Sequence, residues 1–296
     1  MLAKTARTLI RLLPEPVGIA LNHELTCRPW RVKMSPAEQR AIGQAEKLHY
    51  GAGGKNVAWA WGRGPLVILV HGWGGRGAQL GPLGVHIASL GYRAVAIDVT
   101  GHGASAKHHT AWSYFFNDIA ALARSLGDEV HAYVGHSVGG LAMMGARQVA
   151  GIRASRYICI CSPSYPNSRI EILQRRLMPS EAGMARYKAF LAEQFAAPSW
   201  DALEAGAAYA GAGPETLLIH DVGDRFVHHS EGDKIHALCP ETRLLKVHAQ
   251  GHNRILGHTQ LMQAAGAFLA QRSPGASPAA TRQATTAAAT KLRLAV

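Results

Sequence analysis

Val130-His131-Ala132-Tyr133-Val134-Gly135-His136-Ser137-Val138-Gly139-Gly140 is the stretch on which the reading of this chain turns. Val130, Tyr133 and Val134 favour extended backbone, whereas Leu141 to Ala150 are mostly good helix formers. Ser137 therefore falls where a strand becomes a helix. Gly135 and Gly139, two residues before and after it, let the backbone of such a turn pack closely. A G-x-S-x-G turn of this kind leaves its serine hydroxyl free at the strand tip, and the helix start beside it favours developing negative charge. Two glycines around a serine are a weak signal in a chain with 32 glycines. The strand before and the helix after supply the specificity.

Outward from this turn, strands and helices alternate. Leu66-Val67-Ile68-Leu69-Val70 is wholly apolar, the pattern of a strand buried on both faces. Lys47 to Tyr50 and Val57 to Trp61 read as a hairpin joined through Gly51 to Gly54. Tyr92 to Asp98, Val130 to Val134, Tyr157 to Cys161, Thr216 to His220 and Thr242 to Val247 read as further strands. Helices are expected near 78 to 90, 112 to 126, 140 to 150 and 259 to 271. This predicts an α/β fold, a mainly parallel doubly wound sheet of about eight strands with functional loops at the strands' carboxyl ends. Residues 163–213 break the alternation. Ile170, Leu173, Leu177 and Met178 share one helical face and Tyr187, Phe190, Leu191 and Phe195 another, so an inserted helical cap is expected there, with the core in 45–162 and 214–272. Residues 1–44 form an N-terminal extension with breakers at Pro14, Pro16 and Pro29 and a helix opening at Ser35-Pro36. Leu2 to Leu13 carry an amphipathic pattern, read as a helix docked on the body or one that binds a surface. Residues 273–296, rich in Pro, Ala and Thr, read as a disordered tail.

A serine hydroxyl is a poor nucleophile at neutral pH, so Ser137 needs a base, the base needs an orienting acid, and the oxyanion needs donors. Each has a candidate at a strand end. His71-Gly72-Trp73-Gly74-Gly75 follows the apolar strand, and its glycines allow the Trp73 N–H to converge with that of Val138 on an oxyanion. His220-Asp221-Val222-Gly223-Asp224 places two carboxylates past another strand. Gly251-His252-Asn253 supplies a histidine after the last one. No Asp or Glu follows Glu241, so the acid comes from before the base, Asp224 or Asp221. His71 and His136 flank the site and are expected to line the substrate pocket or support it. Arg254 is a candidate for a substrate carboxylate or for a salt bridge under the loop, and Arg169, Arg175 and Arg176 read as a solvated helix face. His102, His108 and His109 lack a metal-ligand frame such as H-E-x-x-H.

With these segments in this order, the chain resembles the α/β-hydrolase superfamily over residues 47–162 and 214–271. Asp98-Val99-Thr100-Gly101-His102-Gly103-Ala104-Ser105 is similar to the family's D-x-P-G-x-G-x-S segment, with Thr100 where proline is usual. His220 to His228 is similar to H-[GD]-x-x-D-x-x-V-P, with His228 in place of the last proline. The resemblance implies a catalytic triad of Ser137, Asp224 and His252, an oxyanion hole from Trp73 and Val138, and no metal or organic cofactor. A serine at the turn, where dehalogenase and epoxide-hydrolase branches carry aspartate, argues against those chemistries.

Length and composition agree. A chain of 296 residues, 48% hydrophobic, can bury a full core. Cys27, Cys159, Cys161 and Cys239 form no C-x-x-C, and Cys159 and Cys161 are expected on one face of a strand as packing residues, which suits a reducing cytoplasm. The formal charge of +12 is spread along the chain and no nucleic-acid-binding signature accompanies it, so it reads as solubility and weak attraction to polyanions. No apolar run is long enough to span a bilayer. The expected activity is hydrolysis of a small-molecule acyl substrate, a carboxylic ester or thioester, through an acyl-enzyme. Acyl transfer or carbon–carbon bond hydrolysis on the same triad, and a silent binding protein of the same fold, are the alternatives; oligomeric state is not legible.

Overall fold

In the computed structural model, which describes residues 12–29, 33–127, 129–249 and 251–271, the wholly apolar strand lies inside the sheet. It is β3 (Leu66–Val70), and all five residues are buried. Successive side chains of a strand point to opposite faces: Leu66, Ile68 and Val70 enter one core, while Val67 and Leu69 enter the other. Both faces are covered, which is why no polar residue interrupts the run.

Eight strands form one sheet in the order β1-β2-β4-β3-β5-β6-β7-β8. β1 (Glu46–Tyr50) and β2 (Asn56–Trp61) form the predicted hairpin, and β2 lies antiparallel on β4 (Arg93–Asp98). From β4 onward neighbouring strands are parallel, through β5 (Val130–His136), β6 (Arg156–Ile160), β7 (Thr216–Asp221) and β8 (Arg243–Val247). One face carries α3 (Gly81–Ser89) and α10 (Thr259–Leu269), through Leu83, Ile87, Leu261 and Phe268. The other carries α4 (Trp112–Leu126) and α5 (Val138–Val149), through Phe115, Phe116, Ile119 and Leu141. This is the doubly wound α/β arrangement the alternation predicts.

Residues 163–213 contain α6 (Asn167–Leu177), α7 (Glu181–Gln194) and α8 (Trp200–Glu204), with no strand. They pack on the α4/α5 side, where the Phe195 ring meets Trp112 and Phe116 edge-on with centroids 4.8 and 5.2 Å apart. Met178 does not share the buried face of α6; it is the left-handed C-cap, φ 47°, and 62% exposed. α9 (Ser230–Leu238) follows β7.

The N-terminal region departs from its reading as a run of breakers. Pro16 sits in the first turn of α1 (Glu15–Thr26), where a missing N–H costs nothing, so it opens the helix. α1 joins the inserted helices: Glu15 accepts from the Ser180 amide and hydroxyl, and His23 Nδ1 lies 3.1 Å from the Tyr187 hydroxyl. α2 (Pro36–Ile42) starts at the predicted serine, which forms a reciprocal capping box with Glu38. The amphipathic pattern of residues 2–13 falls mostly, and the Pro/Ala/Thr-rich tail wholly, outside the described residues. No described helix is long and apolar enough to cross a membrane.

Asp98, the last residue of β4, ties the front loops to the sheet. Its carboxylate accepts from the Gly77 amide at 2.6 Å, the Trp59 indole at 3.0 Å and the Ala104 amide at 2.9 Å. Thr100, where proline is usual, uses the amide proline lacks: its N–H donates to Asp118 at 2.7 Å, and its hydroxyl accepts from Asn56 at 2.8 Å. A hydrogen-bonded clamp thus replaces ring rigidity. Asp98→Ala should strand three donors and cost about 3 kcal/mol or more of stability, since each buried orphan costs about 1–3 kcal/mol; urea unfolding followed by circular dichroism measures it.

Candidate active site

The turn between β5 and α5 is built as its glycines require. Ser137 has φ 55° and ψ −129°, a conformation an L-residue adopts only when its surroundings enforce it. A Cβ on Gly135 would lie 2.5 Å from Gly140 Cα, and one on Gly139 would lie 2.3 Å from the Val70 carbonyl oxygen. Side chains at either position would force the strand, the helix and the β3 loop apart. Ser137 and Val138 are half-buried. Val138 N–H is the first amide of α5 and so has no carbonyl one turn back to bind.

The loop after β3 comes close to this serine, where a Cβ on Gly72 would stand 3.0 Å from Ser137 Cβ. His71 sits beneath the loop, fully buried, with both ring nitrogens engaged by backbone. The Val99 amide donates to Nε2 at 3.2 Å, so the proton resides on Nδ1, which donates to the Gly72 carbonyl at 2.7 Å. That carbonyl and the Trp73 N–H belong to one planar trans peptide and point in opposite directions. Holding the first therefore aims the second. The Trp73 indole stacks on Phe115 and donates to the Thr26 carbonyl at the end of α1, 3.1 Å away.

Past β7, the two carboxylates take different tasks. Asp224 Oδ2 lies 2.6 Å from His252 Nδ1, and its Oδ1 accepts from the Phe226 and Val227 amides at 2.7 and 3.0 Å. Asp221 accepts from the amides of Gly223, Ala249 and Gly251 and so pins the β7 loop to the β8 loop that carries His252. Burial raises both carboxyls. For Asp224 the His252 hydrogen bond and charge outweigh it, for Asp221 the three amides do, and both end below the ordinary aspartate value. His252 is anchored once more by His136, the last residue of β5, whose Nε2–H donates to the His252 carbonyl at 2.9 Å. The two rings lie 4.6 Å apart. His252 thus stands over the neighbour of Ser137, although no hydrogen bond joins it to the Ser137 hydroxyl among the described residues. Such contacts are often loose without substrate and tighten on binding.

Several residues sit elsewhere than the sequence led one to expect. His71 and His136 do not: both ring nitrogens of His71 and Nε2 of His136 bond backbone, the supporting part expected of them. Arg254 is exposed. Arg169 is not on a solvated face: it is 5% exposed, with its guanidinium carbon 3.7 Å from the Trp73 ring centroid. The spacing that marks Leu173 and Leu177 as buried extends back to 169, so the signal was there and the charge obscured it. Cys159 and Cys161 do not share a face either. β6 ends at Ile160 and Cys161 turns into left-handed backbone, φ 45°, which sends it to the opposite core from Cys159.

The Cys161 thiol lies with Asp224 and His252 in a group of ligand-type atoms within 4.8 Å of one another. Burial pushes that thiol above its ordinary pKa, and Asp224 and His252 are bonded to each other. The donor set suits an acid–base pair better than an ion.

The sheet order, the serine turn and the loops at the strands' carboxyl ends define an α/β hydrolase. The profile of the alpha/beta hydrolase family matches residues 67–282, and this chain belongs to that family. Among curated proteins it is similar to pimeloyl-(acyl-carrier protein) methyl ester esterase of Aliivibrio salmonicida, 35% identical over 101 residues, 34% of this chain and 37% of that protein. It is also similar to a non-heme haloperoxidase of Rhodococcus erythropolis, 35% identical over 95 residues, 31% of this chain and 35% of that protein. The chain thus spans little more than a third of the length of these relatives. Among solved structures, the thioesterase domain from the curacin biosynthetic pathway superposes with a TM-score of 0.55 at 17% identity, covering 77% of this chain and 99% of that domain. At that identity the likeness is one of fold.

Three buried histidines set the acid response. Burial holds His71 below the ordinary imidazole value; burial, aided by the His252 charge, takes His136 down to about 3, and burial takes His220 to about 4. Unfolded, each ring takes up a proton as pH falls through the ordinary imidazole value of 6.5; folded, it does so only at its own depressed pKa. Stability should therefore fall as pH drops from about 6.5 towards 4, by about 1.4 kcal/mol per pH unit for His136 and for His220, with His71 acting in the same direction. His220→Leu should remove one proton from that slope, read from urea midpoints across the range.

Proposed function

We propose that this protein is a serine hydrolase that cleaves carboxylic esters, with thioesters as the related class, through Ser137, His252 and Asp224. The observation that carries the reading is the 2.6 Å Asp224–His252 hydrogen bond, held beside a serine in left-handed backbone at a strand-to-helix turn. Ser137 Oγ attacks the acyl carbon while His252 Nε2 takes its proton. Asp224 fixes the proton on Nδ1 and stabilises the imidazolium. The Trp73 and Val138 amides hold the oxyanion, one aimed by His71 and the other left free at a helix start; one such donor contributes about 10²–10³ in rate. Collapse of the tetrahedral species passes the His252 proton to the leaving alcohol or thiol, and water, activated by the same histidine, releases the acid from the acyl-enzyme. His136 and Asp221 position the His252 loop. The esterase among the relatives supports this reading.

A fluorophosphonate probe should label the wild type and not Ser137→Ala. Hydrolysis of p-nitrophenyl butyrate should vanish in Ser137→Ala and His252→Ala and fall by about 10⁴ in kcat for Asp224→Asn, which leaves the imidazole in the wrong tautomer. Labelling that persists in folded Ser137→Ala would remove the serine from the role.

A further inference from the structure

Among the described residues, Arg169 is a buried cation without an anion. It is 5% exposed, and its Nη2 is fully buried with no hydrogen-bond partner. One face of the guanidinium covers Trp73 at 3.7 Å. The groups that bear on its charge are the Cys27 thiol, a weak acceptor, and the Tyr187 hydroxyl, and both are neutral at pH 7 because burial raises their pKa values. No described carboxylate lies within salt-bridge distance. Glu24, near His23 on α1, is paired with His109 at 3.1 Å. Outside the described residues the one acidic residue in the sequence is Asp128.

A buried charge without a partner costs several kcal/mol and is retained where something binds it. The planar fork of a guanidinium fits a carboxylate in two parallel hydrogen bonds. With a single cation and neutral neighbours, a monoanion balances the charge, whereas a phosphate dianion would leave excess buried charge. Trp73 joins this fork to the chemistry, since its ring lies under Arg169 and it directly follows Gly72, where a Cβ would stand 3.0 Å from Ser137 Cβ.

We propose that Arg169 anchors a free carboxylate on the substrate, so that the protein acts on half-esters, or half-thioesters, of dicarboxylic acids. The substrate class rests on the serine-hydrolase reading above; the carboxylate site does not.

Initial rates compare monomethyl adipate with methyl hexanoate. The wild type should favour the half-ester by at least tenfold in kcat/KM, and Arg169→Gln should lower that ratio at least tenfold, because a charge-assisted hydrogen bond contributes about 1.5–3 kcal/mol. Arg169→Lys, which keeps the charge and loses the fork, should fall between. A wild-type ratio at or below one, or a ratio unmoved in Arg169→Gln, overturns the proposal. Adipate titrated by calorimetry gives a readout independent of turnover: it should bind the wild type and not Arg169→Gln, with Arg169→Lys used if the glutamine variant does not fold. A protein that hydrolyses neither ester and resists the fluorophosphonate has lost the hydrolase reading, yet adipate binding lost on substitution would keep the Arg169 site. Stabilisation by chloride with none by adipate would remove it.

Discussion

The strained backbone at Ser137 is the constraint from which the rest of the structure follows. An L-residue near φ 55° is unfavourable by about 1–3 kcal/mol and persists only where its neighbours permit no alternative. Here β5, α5 and the β3 loop close around it at distances that only glycine tolerates, through Gly135, Gly139 and Gly140. The same closeness brings Gly72 against the serine, and the first amide of α5 has no carbonyl one turn back. The strained serine and the loop packed against it are one arrangement.

Around that turn, backbone is held by side chains that carry no chemistry of their own. His71 fixes the Gly72–Trp73 peptide, His136 holds the His252 carbonyl, and Asp221 ties together the loops that bring Asp224 and His252 into contact. Neutral imidazoles do this well, because each offers one donor and one acceptor on a rigid ring. They do so only while burial keeps them unprotonated. The electrostatics of the site and the acid sensitivity of the fold thus share a cause.

On the α4/α5 side of the sheet, the N-terminal helix and the helices of residues 163–213 pack together. α1 hydrogen-bonds α7 through His23 and Tyr187 and reaches the Trp73 indole through the Thr26 carbonyl. Arg169 lies where these pieces meet. A segment distant in sequence from the serine therefore bears on the loop that follows β3.

The sequence by itself determined the sheet, the serine turn and the order of the loops, because these rest on local chemistry: the unbroken apolar run of β3, the glycines about Ser137, the serine cap of α2. It also narrowed the acid to two aspartates, since no carboxylate follows Glu241. Only the tertiary structure decided between Asp224 and Asp221 as the partner of His252, for both follow the same strand and differ only in what the next loop brings to them. It also turned Pro16 from a breaker into a helix start, sent Cys161 to the opposite core from Cys159, and buried Arg169. These depend on contacts between residues far apart in the chain, where burial and partner, not residue type, set what a side chain does.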